Sequence, residues 1–349
     1  MKGGSIMKRI YYLTFIFLLG YWAKAQDMHF SQFSMAPLMQ NPAMAGAVNN
    51  FETRLNYRNQ WGSVGVPYKT FGASIDARLR KKKSKTGFWG LGLNFFNDES
   101  GSARLSSTVA NLSSTYHVTL NQFNTLGFGF QTGLGQRSIN TANLQWGSQY
   151  VNGSLNTSLP SGESFESPSF MYLDLTGGMV YSYNNTAGRK KVTGNNFNQG
   201  TLGFSIFHFN RPQYSFNRSG ERLYIKYVAH GDFLFSLPGT KFAINPGFLF
   251  YSQGPNKEIL LGGMIRYDLI PESKYTGAFN GGGIYAGAYI RARDAVVVAT
   301  RFELSDYSIG ISYDINTSDL RASTNGRGGL ELSLRYINRN VRFGAPAKY

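Results

Sequence analysis

The chain contains no cysteine. This excludes a disulfide framework, a thiolate metal site and a cysteine nucleophile. Charge is scarce too: Asp, Glu, Lys and Arg make up 15% of 349 residues, against roughly 25% in a typical soluble domain. Proline occurs only 11 times. Past the first 25 residues no run approaches the roughly 18 uninterrupted apolar residues of a membrane helix, and the mean hydropathy is −0.26. What is plentiful is glycine, with 41 residues, alongside 27 Phe and 22 Tyr. Low charge, no long apolar run and much Gly, Tyr, Phe, Ser and Asn suit a sheet with one apolar and one polar face. That is the composition of a transmembrane β-barrel.

The net charge is +16. The basic residues are dispersed except for two clusters, Arg80-Lys81-Lys82-Lys83 with Lys85 and Arg189-Lys190-Lys191. No nucleic-acid-binding module accompanies them, so no nucleic-acid partner is expected.

Residues 1–25 read as a signal peptide. Lys2, Lys8 and Arg9 form a basic start, Ile10 to Trp22 is apolar all round, and Ala23-Lys24-Ala25 offers a small-residue cleavage site before Gln26. The apolar run is too short to span a bilayer. An exported chain with this composition is expected in the outer membrane of a Gram-negative bacterium.

From residue 51 the dominant period is two. Tyr307, Ile309, Ile311, Tyr313 and Ile315 alternate with Ser308, Gly310, Ser312 and Asp314. Leu330, Leu332, Leu334 and Tyr336 alternate with Glu331, Ser333 and Arg335. Such runs predict about 14 strands: 51–61, 69–80, 87–98, 104–118, 124–138, 171–183, 201–209, 223–237, 242–253, 258–267, 279–291, 294–304, 307–315 and 328–337. Tight links such as Ser305-Asp306 make sequence neighbours antiparallel neighbours. A soluble sandwich or propeller would expose a charged second face; here that face is mostly Gly, Ser, Thr and Asn, and no blade-length repeat exists. The expected fold is therefore all-β, a transmembrane antiparallel barrel over 51–337, with a short periplasmic tail at 338–349.

A periplasmic N-terminus would put the long links 139–170, 210–222 and 316–327 outside and both basic clusters in the periplasm. There the clusters are either solvated turns touching headgroups or a docking point for an acidic partner. Alternation aims Glu52, Arg54, Arg58, Asp76, Arg78, Asp174, Lys226, Asp232, Arg266, Arg301, Glu303, Glu331 and Arg335 into the lumen. A charge on the lipid side would cost about 2–4 kcal/mol at the midplane. Both signs are present, which suits ion pairs in a filled barrel better than an ion-selective pore.

Residues 26–50 do not alternate and carry four Met and two Phe. Exposed, such a tail would be sticky; folded into the barrel it becomes a plug. We expect it in or across the periplasmic mouth, with Phe30, Phe33 and Met35 on lumen glycines (Gly127, Gly129, Gly133 and Gly135 are candidates). Asn41-Pro42 would start a turn, and Gly46 would let the chain swing into the first strand.

Three motifs carry a family resemblance. They are Gln32-Phe33-Ser34 with Asn41-Pro42-Ala43-Met44-Ala45-Gly46, then Tyr57-Arg58-Asn59-Gln60-Trp61, then the closing Gly328–Ile337 run GGLELSLRYI. Together they resemble the PorP/SprF family of type IX secretion system membrane proteins. The early Asn-Pro-Ala is also similar to the N-terminal hatch of fatty-acid-transporter-like barrels, which have fourteen strands. The resemblance implies an outer-membrane component or accessory of type IX secretion. It implies partners among secreted surface adhesins of the gliding-motility kind, through their C-terminal domains, and among periplasmic parts of the machine. It supplies no catalytic residue.

Nor do the residues themselves. No HExxH, GxSxG, phosphate loop or EF-hand loop occurs. The best constellation, His230 with Asp232 and Ser236, sits along one strand, and Ser236 is roughly 20 Å from His230 at about 3.4 Å per residue. Lumen hydrogen bonding explains it better. No enzyme activity, cofactor or metal is expected. Long links on a rigid barrel are where recognition sits, and Trp146, Tyr150, Phe165 and Phe170 among small polar residues are the expected docking anchors. The other open reading is a passive transporter of small hydrophobic or ionic solutes.

Overall fold

The structure is a computed structural model, described here over residues 28–63, 65–79, 86–140, 144–162, 168–185, 197–216, 220–270 and 281–338. The leader, most of the tail and both basic clusters lie outside the described residues.

Sixteen strands follow one another: β1 Phe51–Gln60, β2 Tyr68–Leu79, β3 Gly87–Ser100, β4 Leu105–Thr119, β5 Asn124–Ser138, β6 Tyr150–Val151, β7 Ser154–Leu155, β8 Ser169–Asn184, β9 Asn198–Phe207, β10 Lys226–Ser236, β11 Phe242–Gln253, β12 Asn256–Ile270, β13 Gly282–Arg291, β14 Ala295–Leu304, β15 Tyr307–Asn316 and β16 Arg327–Ile337. Fourteen close into one barrel, and β6–β7 is a separate two-stranded hairpin. Every expected strand is present. The seam is made by β1 and β16, paired antiparallel from Glu52↔Ile337 to Gln60↔Gly329. Closing the sheet removes both edges, so the main chain can cross lipid with its polar groups satisfied.

Alternation does what the composition requires. Leu55, Leu93, Leu134, Ile265 and Ile311 point outward and are exposed. Water would oppose so much bare apolar surface by about 25 cal/mol per Å²; lipid does not. Exposed aromatic side chains gather towards both strand ends. Trp89, Tyr181, Phe242, Tyr267 and Tyr307 lie towards the end from which β1 starts, and Tyr57, Tyr68 and Tyr227 towards the other. These are the interfacial girdles of a membrane barrel. We call the end where β1 starts the near mouth and the other the far mouth. No described helix is long and apolar enough to cross a membrane.

Among the strand boundaries that differ from the sequence reading, two share one local reason. β9 stops at Phe207 rather than 209 because His208 takes φ +57° and Arg211 φ +45°. Left-handed backbone turns the chain out of the ladder. The link that follows folds on itself, with Leu223 N–H on Pro212 O and Tyr214 N–H on Glu221 O, so β10 begins at Lys226 rather than 223.

Candidate functional site

Residues 28–50 fill the lumen. Three short 3-10 turns, Phe33–Met35, Pro37–Met39 and Pro42–Met44, compact the chain. Asn41 caps the last by accepting Ala43 N–H at 2.9 Å, and Pro42 at its first position needs no N–H partner. Phe30, Leu38, Ala43 and Ala45 are all but inaccessible.

The path corrects one expectation. The segment does not sit in one mouth; it traverses the barrel. Met28 and His29 line a cavity of about 770 Å³ at the far mouth, together with Arg58, Trp61 and Tyr68. Val48 lines a cavity of about 450 Å³ at the near mouth, together with Glu52, Arg78 and Phe123. Between them the plug touches wall after wall.

At the far end stands a charge cluster. Arg58 on β1 places Nη1 2.8 Å from Glu331 Oε1 and Nη2 2.8 Å from Asp314 Oδ2. It also donates to His29 O at 3.1 Å and Ser31 Oγ at 3.0 Å. Glu331 accepts the main-chain N–H groups of Ser31 (2.6 Å) and Gln32 (2.9 Å). Ser31 Oγ donates to Asp314. Arg291 completes the cluster on Asp314 (3.0 Å), Asp294 (3.1 Å) and Glu258 (3.4 Å). His29 lies between Tyr251 OH (2.8 Å) and Glu258 (3.3 Å). These charges are buried but mutually paired, the condition under which burial is tolerated.

The three sequence motifs meet at this point. Gln32 belongs to the opening, with Ser31 just before it, Arg58 to the Tyr57–Trp61 run, and Glu331 to the closing run. Tyr57 beside Arg58 points to lipid instead. Trp61 packs edge-on against Tyr68 at 5.2 Å, and both line the far cavity with Gln60.

In the middle, Asn41 Nδ2 donates to Met179 O at 2.8 Å and lies 3.1 Å from His230 Nε2. Ser205 Oγ donates to Gln40 O at 2.6 Å, and Thr115 Oγ1 to Ala45 O at 2.9 Å. The approach is close because the wall has glycine there. A Cβ on Gly129 would stand 2.4 Å from Ala43 N, and one on Gly90 2.2 Å from Ala45 O. Phe30 lies on Gly72 and Phe33 on Gly247. Met35 does not lie on a glycine; its sulfur sits 3.9 Å from Arg301 Nη1. Of the four candidate glycines only Gly129 meets the plug. Gly127, Gly133 and Gly135 make room for His117, Asn111 and Tyr172 of the neighbouring strands.

At the near end Gly46 turns with φ +66°. Its N–H goes to Asp76 Oδ2 at 2.9 Å, and its carbonyl accepts Arg78 Nε at 2.8 Å. Arg78 also holds Ala47 O and stacks on Phe88. Arg54 bridges Glu52 and Asp76. Glu303 bridges Arg301 and Arg335. Asp174 pairs with His208 at 2.8 Å, and Arg266 with Asp268 at 2.9 Å. Lys226 sits over the rings of Phe207 and Tyr251. His230 and Asp232 are not partners: Asp232 receives Asn245 Nδ2 at 3.3 Å, and Ser236 Oγ accepts Phe197 N–H. The residues assigned inward are all buried or half-buried; Glu258, Arg291 and Asp314, missing from that set, carry much of the far cluster. No group of three or more ligating side chains suited to a metal occurs among the described residues.

The anchors expected in the long link scatter. Tyr150 is exposed and hydrogen-bonded to Gln145. Trp146 precedes the turn Gly147–Gln149, half-buried. Phe165 lies outside the described residues. Phe170 is not presented to a partner; it is half-buried among Tyr172, Tyr214 and Phe216.

A family model, type IX secretion system membrane protein PorP/SprF, matches residues 23–336. The chain belongs to that family. It is accordingly a type IX secretion membrane protein with an outer-membrane β-barrel fold. No curated protein matches. Solved barrels resemble it distantly. A Pseudomonas aeruginosa FadL homologue is 11% identical, covering 87% of this chain and 94% of its own, with TM-score 0.39. The TodX monoaromatic hydrocarbon channel, in a deletion mutant, is 10% identical over 87% and 94%, with TM-score 0.41. The translocator domain of the Neisseria meningitidis autotransporter NalP is 13% identical over 88% and 96%, with TM-score 0.35. These likenesses concern the fold alone.

Proposed function

We propose that this PorP/SprF protein is a sealed docking barrel rather than a conduit or an enzyme. Its near mouth faces the periplasm, after export by a signal peptide cleaved before Gln26. Its far links hold the C-terminal domain of a secreted adhesin at the cell surface, and its near end meets periplasmic parts of the secretion machine. The observation that carries this reading is the plug: a segment anchored at both mouths and against the wall leaves the barrel's outer surfaces as the place for interaction. The far links offer most such surface, with Trp146 and Tyr150 among small polar residues, a composition suited to protein recognition. The basic clusters expected on periplasmic links suit an acidic periplasmic partner.

The experiment is to replace residues 145–166 by a Gly-Ser turn and verify membrane insertion by heat-modifiable gel migration. Loss of one surface adhesin, with other type IX cargo unaffected, is the expected result. Loss of all cargo would make the protein a core component. Unchanged export and retention would remove the docking reading.

A further inference from the structure

The barrel wall has a step at its far end. β5 and β8 stay paired out to Ser138↔Ser169. On its other side β8 is paired with β9 only as far as Gly177↔Ile206. The outer part of β8 thus rises past β9 with one side uncovered.

Flanking bonds fix which way its main chain points. Ile139 N–H donates to Pro168 O and Asn184 N–H to Phe123 O, both on the β5 side. Asn185 N–H donates to Asn198 O, on the β9 side. Along a strand these directions alternate, so odd-numbered residues of β8 present N–H and C=O to the step. The chain itself closes part of that gap. Phe209 N–H reaches Leu175 O at 3.2 Å. The Asn210 carboxamide imitates a peptide group: it accepts Leu175 N–H at 3.1 Å and donates to Leu173 O at 2.7 Å. Among the described residues, no partner meets Leu173 N–H or the N–H and C=O of Met171.

This edge is not a natural seat for the adjoining link. Asp174 holds His208 where the backbone turns left-handed, and Gln213 bridges Arg222. Tyr214 is held inward by Arg137 and by the rings of Phe170 and Tyr172. The link is thus committed to its own hairpin. Met171 and Leu173 point outward, at 69% and 51% exposed, while Phe170 and Tyr172 face in. The edge also continues directly into link 139–168.

We infer that the far-end edge of β8, centred on Met171, is a strand-docking site that takes an extended amphipathic segment of the secreted partner, added to the sheet beside β8. An uncovered strand edge is a template for such addition, in which main-chain bonds supply affinity and alternate side chains supply specificity. The occupant places apolar side chains beside Met171 and Leu173 and polar ones beside Tyr172. The choice of a secreted partner rests on the docking reading above; the edge itself does not.

Proline at 171 isolates the interaction. It deletes the Met171 N–H at the centre of the step, leaving that of Leu173, and keeps the bonds of β8 to β5, which even-numbered residues make. The full-length protein is compared in outer-membrane vesicles from export-competent cells and from cells blocked in type IX export. Amide hydrogen exchange at Met171 and Leu173 should be at least tenfold slower with cargo present. Met171→Pro should lower surface cargo at least tenfold with heat-modifiable migration unchanged, and Met171→Ala should retain it. Equal exchange in both vesicles overturns the inference, whether or not the proline variant folds. Full cargo retention by Met171→Pro overturns it too. If the 145–166 replacement then still loses cargo, the docking reading stands without the edge; if both variants retain cargo, both fall. Protection that grows with concentration of the purified barrel would assign the edge to a second copy and overturn the partner.

Discussion

Arg58 and Glu331 face each other across the seam that closes the barrel, register partners with 2.8 Å between guanidinium and carboxylate. The same carboxylate receives two N–H groups from the plug. Joining the first strand to the last and seating the plug are therefore parts of one interaction. Removing one member of a buried charge pair strands the other, at about 3–5 kcal/mol.

Arg58→Ala and Glu331→Gln should each lower the stability of the detergent-solubilised barrel by about 3 kcal/mol, read as the urea midpoint of heat-modifiable migration. The double variant should lose clearly less than the sum of the two, because neighbours in one network are not additive. Additive losses would mean that the two side chains act separately.

Glycine beneath the plug is a steric requirement, so Gly129→Val should displace it. A Cβ there falls 2.4 Å from Ala43 N, whereas one on Gly177 meets nothing within 4 Å. Gly129→Val should cost about 1–3 kcal/mol as overpacking does, and Gly177→Ala under about 1 kcal/mol. Equal effects would argue that the plug is loosely held.

Deleting residues 28–46 should convert a closed barrel into a conducting one in planar bilayers. The intact protein should show no steady conductance. Conductance from the intact protein would favour the transporter reading.

Because the chain has no cysteine, single cysteines report position cleanly. Met28→Cys should react with a membrane-impermeant maleimide added to whole cells, and Val48→Cys should react only after the outer membrane is opened. The reverse pattern would invert the barrel.

Much of this was legible in the chain because alternation in a membrane barrel is enforced on every strand: one face meets lipid, so an inward charge is recognisable from its neighbours alone. The residues that escaped explain the limit. Glu258 and Arg291 sit at the ends of expected spans, where alternation has few neighbours to fix its phase. Asp314 stood in the polar set of its strand, but its role depends on Arg58 and Arg291, brought to it by closure of the sheet. The plug's path was not legible because an aperiodic segment carries no face and hence no direction. The hairpin of β6 and β7 has two residues per strand, too few for any period. Asn210 acts through its amide as a main-chain substitute, which no spacing announces.

The course of the plug sets an order of events. Arg58 and Glu331 hold each other across the seam and also hold Ser31 and Gln32 of the plug, so seam and plug are expected to form together. Residues 28–50 would settle while the sheet is still an open ribbon, and the ribbon would then curl around them as around a mandrel. The final contact joins parts of the chain some 280 residues apart, such as Glu52 and Ile337, and contacts of that separation form late and slowly. A mutation that loosens the plug would therefore show first as barrels that fail to close, before it shows as barrels that leak.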